Sequence, residues 1–288
     1  MPDVIATSEQ RPDLGDVRIQ DVTSIKEQTV FQRLIASQAF WVTVALLVIV
    51  VVIAMREPAF ATAENFYNTT RNFAFIGIMA LGMGAVIVTG GIDLSVGTGM
   101  TFAAVMAGVF MSAEFMNLPL GIGLLLTIVV GAAMGLVNGF LIAYLHIPPF
   151  IATLAMMMVT RGLSLIISNA SSIKIANPDY SAISNGRLIP FLSNAALIFV
   201  ILGIIAAVIL GKTLLGRYAL AIGSNEEATR LSGINVKFWK ALVYVTAGIF
   251  TAFGAILYSG RFGFVQPAEG LGMELQVIAA VVIGGTSL

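Results

Sequence analysis

Runs of about 20 residues with almost no charge recur along this chain, and no other feature constrains its folding as much, because about 20 apolar residues make one helical crossing of a bilayer. The runs fall near 40–55, 73–90, 99–116, 119–145, 149–168, 194–212 and 240–260. An eighth starts near Met273, and the 15 residues from Glu274 to Leu288 span only about 22 Å of helix against a hydrocarbon core of roughly 30 Å. The sequence is therefore expected to stop inside an element and to be a piece of a longer protein. With 58% apolar and 10% charged residues and a mean hydropathy of +0.96, one soluble core cannot hide this surface. The expected fold is all-α, a polytopic transmembrane helix bundle.

Composition removes several classes of function. Lys+Arg and Asp+Glu are both 15, so no basic excess points to nucleic acid. Cysteine is absent, which excludes disulfides, cysteine-held metal and thiol catalysis together. His146 is the single histidine and cannot form a multi-histidine metal site.

Residues 1–38 read as a polar cytosolic tail, with a helix expected from Thr23 to Ser37, and 39–288 as the membrane domain. Phe40–Met55 followed by Ala61-Thr-Ala63 imitates a signal peptide, but the tail before it is too long and too acidic, so an uncleaved first helix is expected. Lys and Arg counts orient the chain, since cytoplasmic loops carry the excess. The tail (Arg11, Arg18, Lys26, Arg33) and the 212–240 loop (Lys212, Arg217, Arg230, Lys237, Lys240) hold nine. The opposite loops hold five: Arg56, Arg71, Lys174, Arg187 and Arg261. The N-terminus is therefore placed inside, provided that 73–116 supplies two crossings and not one kinked span.

Between those two crossings lies Thr89-Gly-Gly-Ile-Asp-Leu-Ser-Val-Gly97. Non-helical backbone at membrane depth is tolerated only where protein or a watery cavity satisfies its polar groups, and an ionisable residue there is a functional candidate. Asp93 or Ser95 is expected to cap the following helix; the functional reading makes Gly90, Gly91, Asp93, Ser95 and Gly97, with Asn138, a hinge or part of a translocation path. Arg161 is the other charge within a span, and Asp93 and Glu274 are its candidate counter-ions. Gly131, Gly135 and Gly139 recur every four residues and let a second helix approach closely, within the chain or across a dimer. Pro148-Pro149 reads as a helix start.

The loop Gly223-Ser-Asn-Glu-Glu-Ala-Thr-Arg-Leu-Ser-Gly233 is written in capping signals. Ser224 and Glu227 form an S-x-x-E capping box, Glu226 and Arg230 are four apart, and Gly233 suits a left-handed stop. A helix of about two turns is expected, carrying the small apolar ridge Ala228, Leu231 and Ile234. It is either a solvated connector or a peg for a cytosolic partner. Asn169–Asn194 is a polar external loop, open either to solvent or to a partner.

Gly211-Lys212-Thr213 imitates a phosphate-binding loop, but the pattern needs glycine where Ala206 stands. Neither H-E-x-x-H nor G-x-S-x-G occurs. An intramembrane enzyme would need a nucleophile with its base, or paired carboxylates, and neither is present. An ion-coupled secondary transporter is the alternative reading, set back by Asp93 being the only clear titratable group near a break.

Taken in order, Thr89–Gly97, Gly135-Leu-Val-Asn-Gly139, Pro149-Phe-Ile-Ala-Thr-Leu154, Arg161-Gly162, Gly223-Ser-Asn-Glu-Glu-Ala228 with Gly233-Ile234, and Gly284-Gly-Thr-Ser-Leu288 resemble the permease subunits of bacterial ATP-binding-cassette sugar importers of the ribose, xylose and galactose type. The resemblance runs from Phe60 to Leu288. It implies a multi-pass subunit of the inner membrane, paired with a second permease copy or homologue, embedded in lipid, worked by two cytosolic ATPase subunits and supplied with a monosaccharide by a periplasmic binding protein. It also implies that ATP and magnesium belong to the ATPase partner, that this chain holds no cofactor or metal, and that it has no catalytic residues. Gly223, Asn225, Glu226, Ala228, Leu231 and Gly233, in the coupling loop 213–240, are then the contact to the ATPase. Family members continue past Gly-Gly-Thr-Ser-Leu, so the end at Leu288 departs from the pattern. Substrate selection would rest mainly with the binding protein, since the path offers few polar groups.

Overall fold

The computed structural model describes residue 35 and residues 38–286. Apart from residue 35, the expected 23–37 helix lies outside the described residues, as does nearly all of the 1–38 tail. The described residues form eleven α-helices joined by short connections: α1 Gln38–Arg56, α2 Ala63–Val88, α3 Val96–Met111, α4 Leu120–Ala143, α5 Pro149–Ile167, α6 Pro178–Asn185, α7 Asn194–Lys212, α8 Leu214–Ser224, α9 Glu226–Leu231, α10 Val236–Phe262 and α11 Met273–Ile283. One two-stranded sheet, β1 Ile173–Lys174 against β2 Phe264–Val265, is antiparallel, with Ile173 opposite Val265.

Among the described residues, five helices (α2, α4, α5, α7 and α10) are long and apolar enough to cross a membrane. The starts and stops follow from local chemistry. Thr62, Asn177, Ser193 and Asn235 each accept a backbone N–H of the helix they open. Pro149 stands in the first turn of α5, where its missing N–H costs nothing. Gly263 closes α10 in left-handed geometry at φ 72.

α3 is the axis of the bundle. It is apolar on every side, and Met100, Ala103, Ala104 and Val105 are wholly buried, as expected of a helix enclosed by others. α10, α4, α5 and α11 surround it. The Gly131/Gly135/Gly139 face is used within the chain. A β-carbon at Gly135 would fall on the carbonyl oxygen of Tyr244, one at Gly131 on that of Gly248, and one at Gly139 on the Ala241 backbone. Helix backbones meet there with no side chain between them, so α4 and α10 form the closest-packed pair.

The bundle has two distinct ends. One carries the sheet and α6, where the Tyr67 hydroxyl donates to the Asn185 carbonyl at 2.6 Å and Arg187 pairs with Glu64 at 2.8 Å. Here too the Tyr180 hydroxyl meets Ser259 Oγ at 2.7 Å, and burial pushes the Tyr180 phenol well above its usual range. The expected polar 169–194 loop is thus a folded cap. The other end carries α8 and α9. The 212–240 loop was expected to hold only one short helix; α8, which the sequence reading missed, continues from α7 after a break at Thr213 and packs on α10 and α2.

Candidate functional site

Among the described residues, the backbone leaves helical geometry beside α3 in two stretches, 89–95 and 266–272. α2 ends in a paired-carbonyl stop: Gly90 N donates to Ile87 O at 2.9 Å and Gly91 N to Val86 O at 3.1 Å, with Gly90 at φ 75. Two consecutive glycines are needed. Gly90 takes the left-handed conformation, and a β-carbon on Gly91 would collide with the Tyr244 hydroxyl.

Asp93 then turns the chain into α3. Its Oδ1 accepts from Ser95 N at 2.8 Å and from Ser95 Oγ at 2.6 Å. The expectation that Asp93 or Ser95 caps α3 is corrected: Ser95 holds the capping position, but neither side chain bonds an N–H inside the helix. The carboxylate instead stabilises the turn itself. Asn138 Nδ2, from α4, donates to Ser95 Oγ at 3.0 Å. Asp93, Ser95 and Asn138 thus form one cluster, enclosed at 8%, 5% and 1% exposure. Asn138 Oδ1 and the Tyr244 hydroxyl are buried without a partner, and Asp93, Ser95, Asn138 and Thr251 line a void of ≈10 Å³, the size of one water.

The second non-helical stretch, after β2, was not foreseen. It re-enters the bundle along the small-residue side of α3: Val265 lies against Gly108, Thr101 Oγ1 donates to the Glu269 carbonyl at 3.0 Å, and a β-carbon on Gly97 would fall on Gly270 O. Gly97 therefore serves this contact and not the Asp93 cluster. Gly270 and Gly272, at φ 88 and 91, give the turn into α11, and Glu274 accepts from Gly272 N at 3.0 Å. The pattern Gly270-Leu-Gly272 was the available signal.

The expected pairing of Arg161 with Asp93 or Glu274 does not form. Asp93 is engaged by Ser95, Glu274 by Gly272, and among the described residues no ion pair includes Arg161.

At the opposite end, α9 lies on the surface of the bundle, with Thr229 buried and its other side chains exposed. Its opening residue is Asn225, whose side chain accepts from Ala228 N at 2.9 Å, and not Ser224, which ends α8. The Ser224/Glu227 capping box is thereby corrected. So is the Glu226–Arg230 pair. Arg230 bonds Glu227 at 2.6 Å and holds that carboxyl below its usual range, while Glu226 reaches Lys240 on α10 at 2.7 Å. Glu226 is drawn instead to Lys240, which lies within reach only because α10 folds back beside α9. Gly233 is left-handed at φ 82, as expected. Ala228 and Leu231 are exposed, Leu231 at 78%. Gly223 faces the other way, and a β-carbon on it would fall on the carbonyl oxygen of Val88.

A helical bundle crossing the membrane several times, with broken backbone at its centre and an exposed helix at one end, is the build of a permease. The family described as "Branched-chain amino acid transport system / permease component" matches residues 65–288, and the chain belongs to it. It is a multi-pass, non-enzymatic permease subunit of an ATP-binding-cassette importer, which disposes of the ion-coupled alternative. Ribose import permease protein RbsC of Escherichia coli K12 is 37% identical over 249 residues, covering 85% of this chain and 76% of the relative. The corresponding RbsC of Bacillus subtilis strain 168 is 37% identical over 249 residues, covering 84% and 75%. Galactose/methyl galactoside import permease protein MglC of Salmonella typhimurium LT2 is 35% identical over 265 residues, covering 85% and 77%. No solved structure matches.

Proposed function

We propose that this permease carries a monosaccharide across the bacterial inner membrane, driven by two cytosolic ATPase subunits and supplied by a periplasmic sugar-binding protein, with a second permease copy or homologue completing the path. Similarity to ribose and galactose import permeases supports the substrate class. The α9 end faces the cytoplasm together with the N-terminus, in keeping with the basic residues of the 212–240 loop. ATP and magnesium reside on the ATPase partner.

The observation that carries the mechanism is the contact of Gly223 with Val88, the last residue of α2. Closure of the ATPase pair on ATP displaces α9, gripped through Asn225, Glu226, Ala228, Leu231 and Gly233. Gly223 passes that displacement to the end of α2, and the Glu226–Lys240 pair passes it to α10. Close-packed helices move as rigid bodies between discrete arrangements, so the motion concentrates where the backbone is already broken, at Gly90, Gly91, Asp93 and Ser95, with Asn138 bracing the turn and Gly97, in the first turn of α3, carrying it to the re-entrant segment. No covalent chemistry is required of this chain.

The test is reconstitution of the permease with its ATPase and binding protein in liposomes, following uptake of labelled ribose and galactose. Uptake should require ATP and survive a protonophore. Uptake that persists without ATP, or no uptake of either sugar, would overturn the reading.

A further inference from the structure

Among the described residues, neither Arg161 nor Glu269 is in an ion pair, and both adjoin α3. Arg161 follows Thr160 on α5, and Thr160 Oγ1 bonds Thr98 Oγ1 of α3 at 2.9 Å. Glu269 sits on the re-entrant segment, its carbonyl held by Thr101 Oγ1 at 3.0 Å. Thr98 and Thr101 are three residues apart, so the two attachments differ in depth by about 4.5 Å and in direction around α3 by about 60°. α5 and the re-entrant segment are therefore adjacent staves against one central helix, held at points within one helical turn of each other. Both residues are half-buried.

A charge facing lipid tails costs about 2.5–3.5 kcal/mol on insertion scales, and unpaired charges at this depth therefore turn toward water or a polar ligand. A guanidinium offers five donors and a carboxylate about four acceptor sites. A sugar ring presents hydroxyls that both donate and accept, and it can satisfy the two groups at once through charge-assisted bonds. We propose that Arg161 and Glu269 form a polar subsite for monosaccharide hydroxyls on the translocation path, beside α3 and away from the enclosed Asp93 cluster. The inference rests on the importer reading above.

The chain has no cysteine, so single cysteines report cleanly. Arg161→Cys, Glu269→Cys and, as a lipid-facing control, Ile166→Cys, 72% exposed, would be reconstituted with ATPase and binding protein and treated with a membrane-impermeant thiol reagent. The first two should react about tenfold or more faster than the control. Saturating ribose or galactose should slow them by about threefold or more. Reaction no faster than at Ile166, reaction indifferent to sugar, or protection by leucine alone would each overturn the subsite. If loss of either charge prevents assembly, Gly162→Cys and Ala268→Cys keep both charges and probe the immediately flanking positions, with the same expectations. Sugar uptake by the Ile166→Cys complex separates the two readings. With uptake intact, unreactive cysteines defeat only the subsite; without it, the importer reading fails and the subsite with it.

Discussion

The carbonyl oxygen of Val88 occupies the place where Gly223 would carry a β-carbon, so the last turn of α8 rests directly on the backbone of α2 at its last residue. Side-chain cushions absorb small displacements, whereas backbone on backbone transmits them. One residue beyond Val88 the helix gives way to the Thr89–Ser95 turn, so a push delivered there reaches the break in the backbone directly.

Gly223→Val should therefore separate hydrolysis from transport. The variant is expected to fold and to bind its ATPase, since α9 is unchanged, while ATP-driven uptake falls about tenfold or more, equivalent to about 1.4 kcal/mol in the balance of states. Parallel measurements of ATPase rate and sugar uptake decide it. Gly203→Ala, where nothing lies within 4 Å, is the control.

Gly91 and Tyr244 are expected to be coupled. Gly91→Ala drives a methyl into the Tyr244 hydroxyl, which has no hydrogen-bond partner to lose. Tyr244→Phe should be nearly neutral alone and should restore much of the stability lost in Gly91→Ala. Thermal unfolding in detergent should give an interaction energy of about 0.5–3 kcal/mol; strictly additive losses would refute the contact.

At Asp93, the hydrogen bonds matter more than the charge. Asp93→Asn keeps an oxygen that can accept from Ser95 N and should cost well under about 1 kcal/mol, whereas Asp93→Leu strands buried donors at a cost of about 1–3 kcal/mol. The reverse ranking of melting temperatures would mean that the carboxylate acts through its charge.

Leu231→Ser tests the exposed ridge of α9 without touching its internal bonds. Leu231 is 78% exposed, so stability should change by less than about 0.5 kcal/mol. Co-purification of the ATPase subunit should fall sharply. Glu226→Lys is a less clean probe, because it also sets two lysines against each other at Lys240. Full retention of the ATPase by Leu231→Ser would remove α9 from the coupling path.

The two acids of α9 show where sequence reasoning reaches its limit. Spacing paired Glu226 with Arg230, but Arg230 turned to Glu227, and Glu226 found Lys240, fourteen positions along the chain. Rules of local spacing describe neighbours on one helix and say nothing of a second helix folding back beside it. Asp93 and Ser95 followed the same logic: their residue types announced a turn, but the partner that braces it, Asn138, comes from α4.

By itself the sequence determined that this chain is a bundle of membrane-crossing helices, where most of them begin and end, that the backbone breaks after Val88, and that α4 meets another helix through its glycines. These are consequences of solvent preference, helical period and glycine's missing side chain, all of which act within a few residues. Only the tertiary structure decided that α3 is the buried axis, that the segment after β2 re-enters beside it, that Arg161 stands apart from Asp93, and that Gly223 rests on Val88. Those relationships join residues distant along the chain through close packing, which no local pattern encodes.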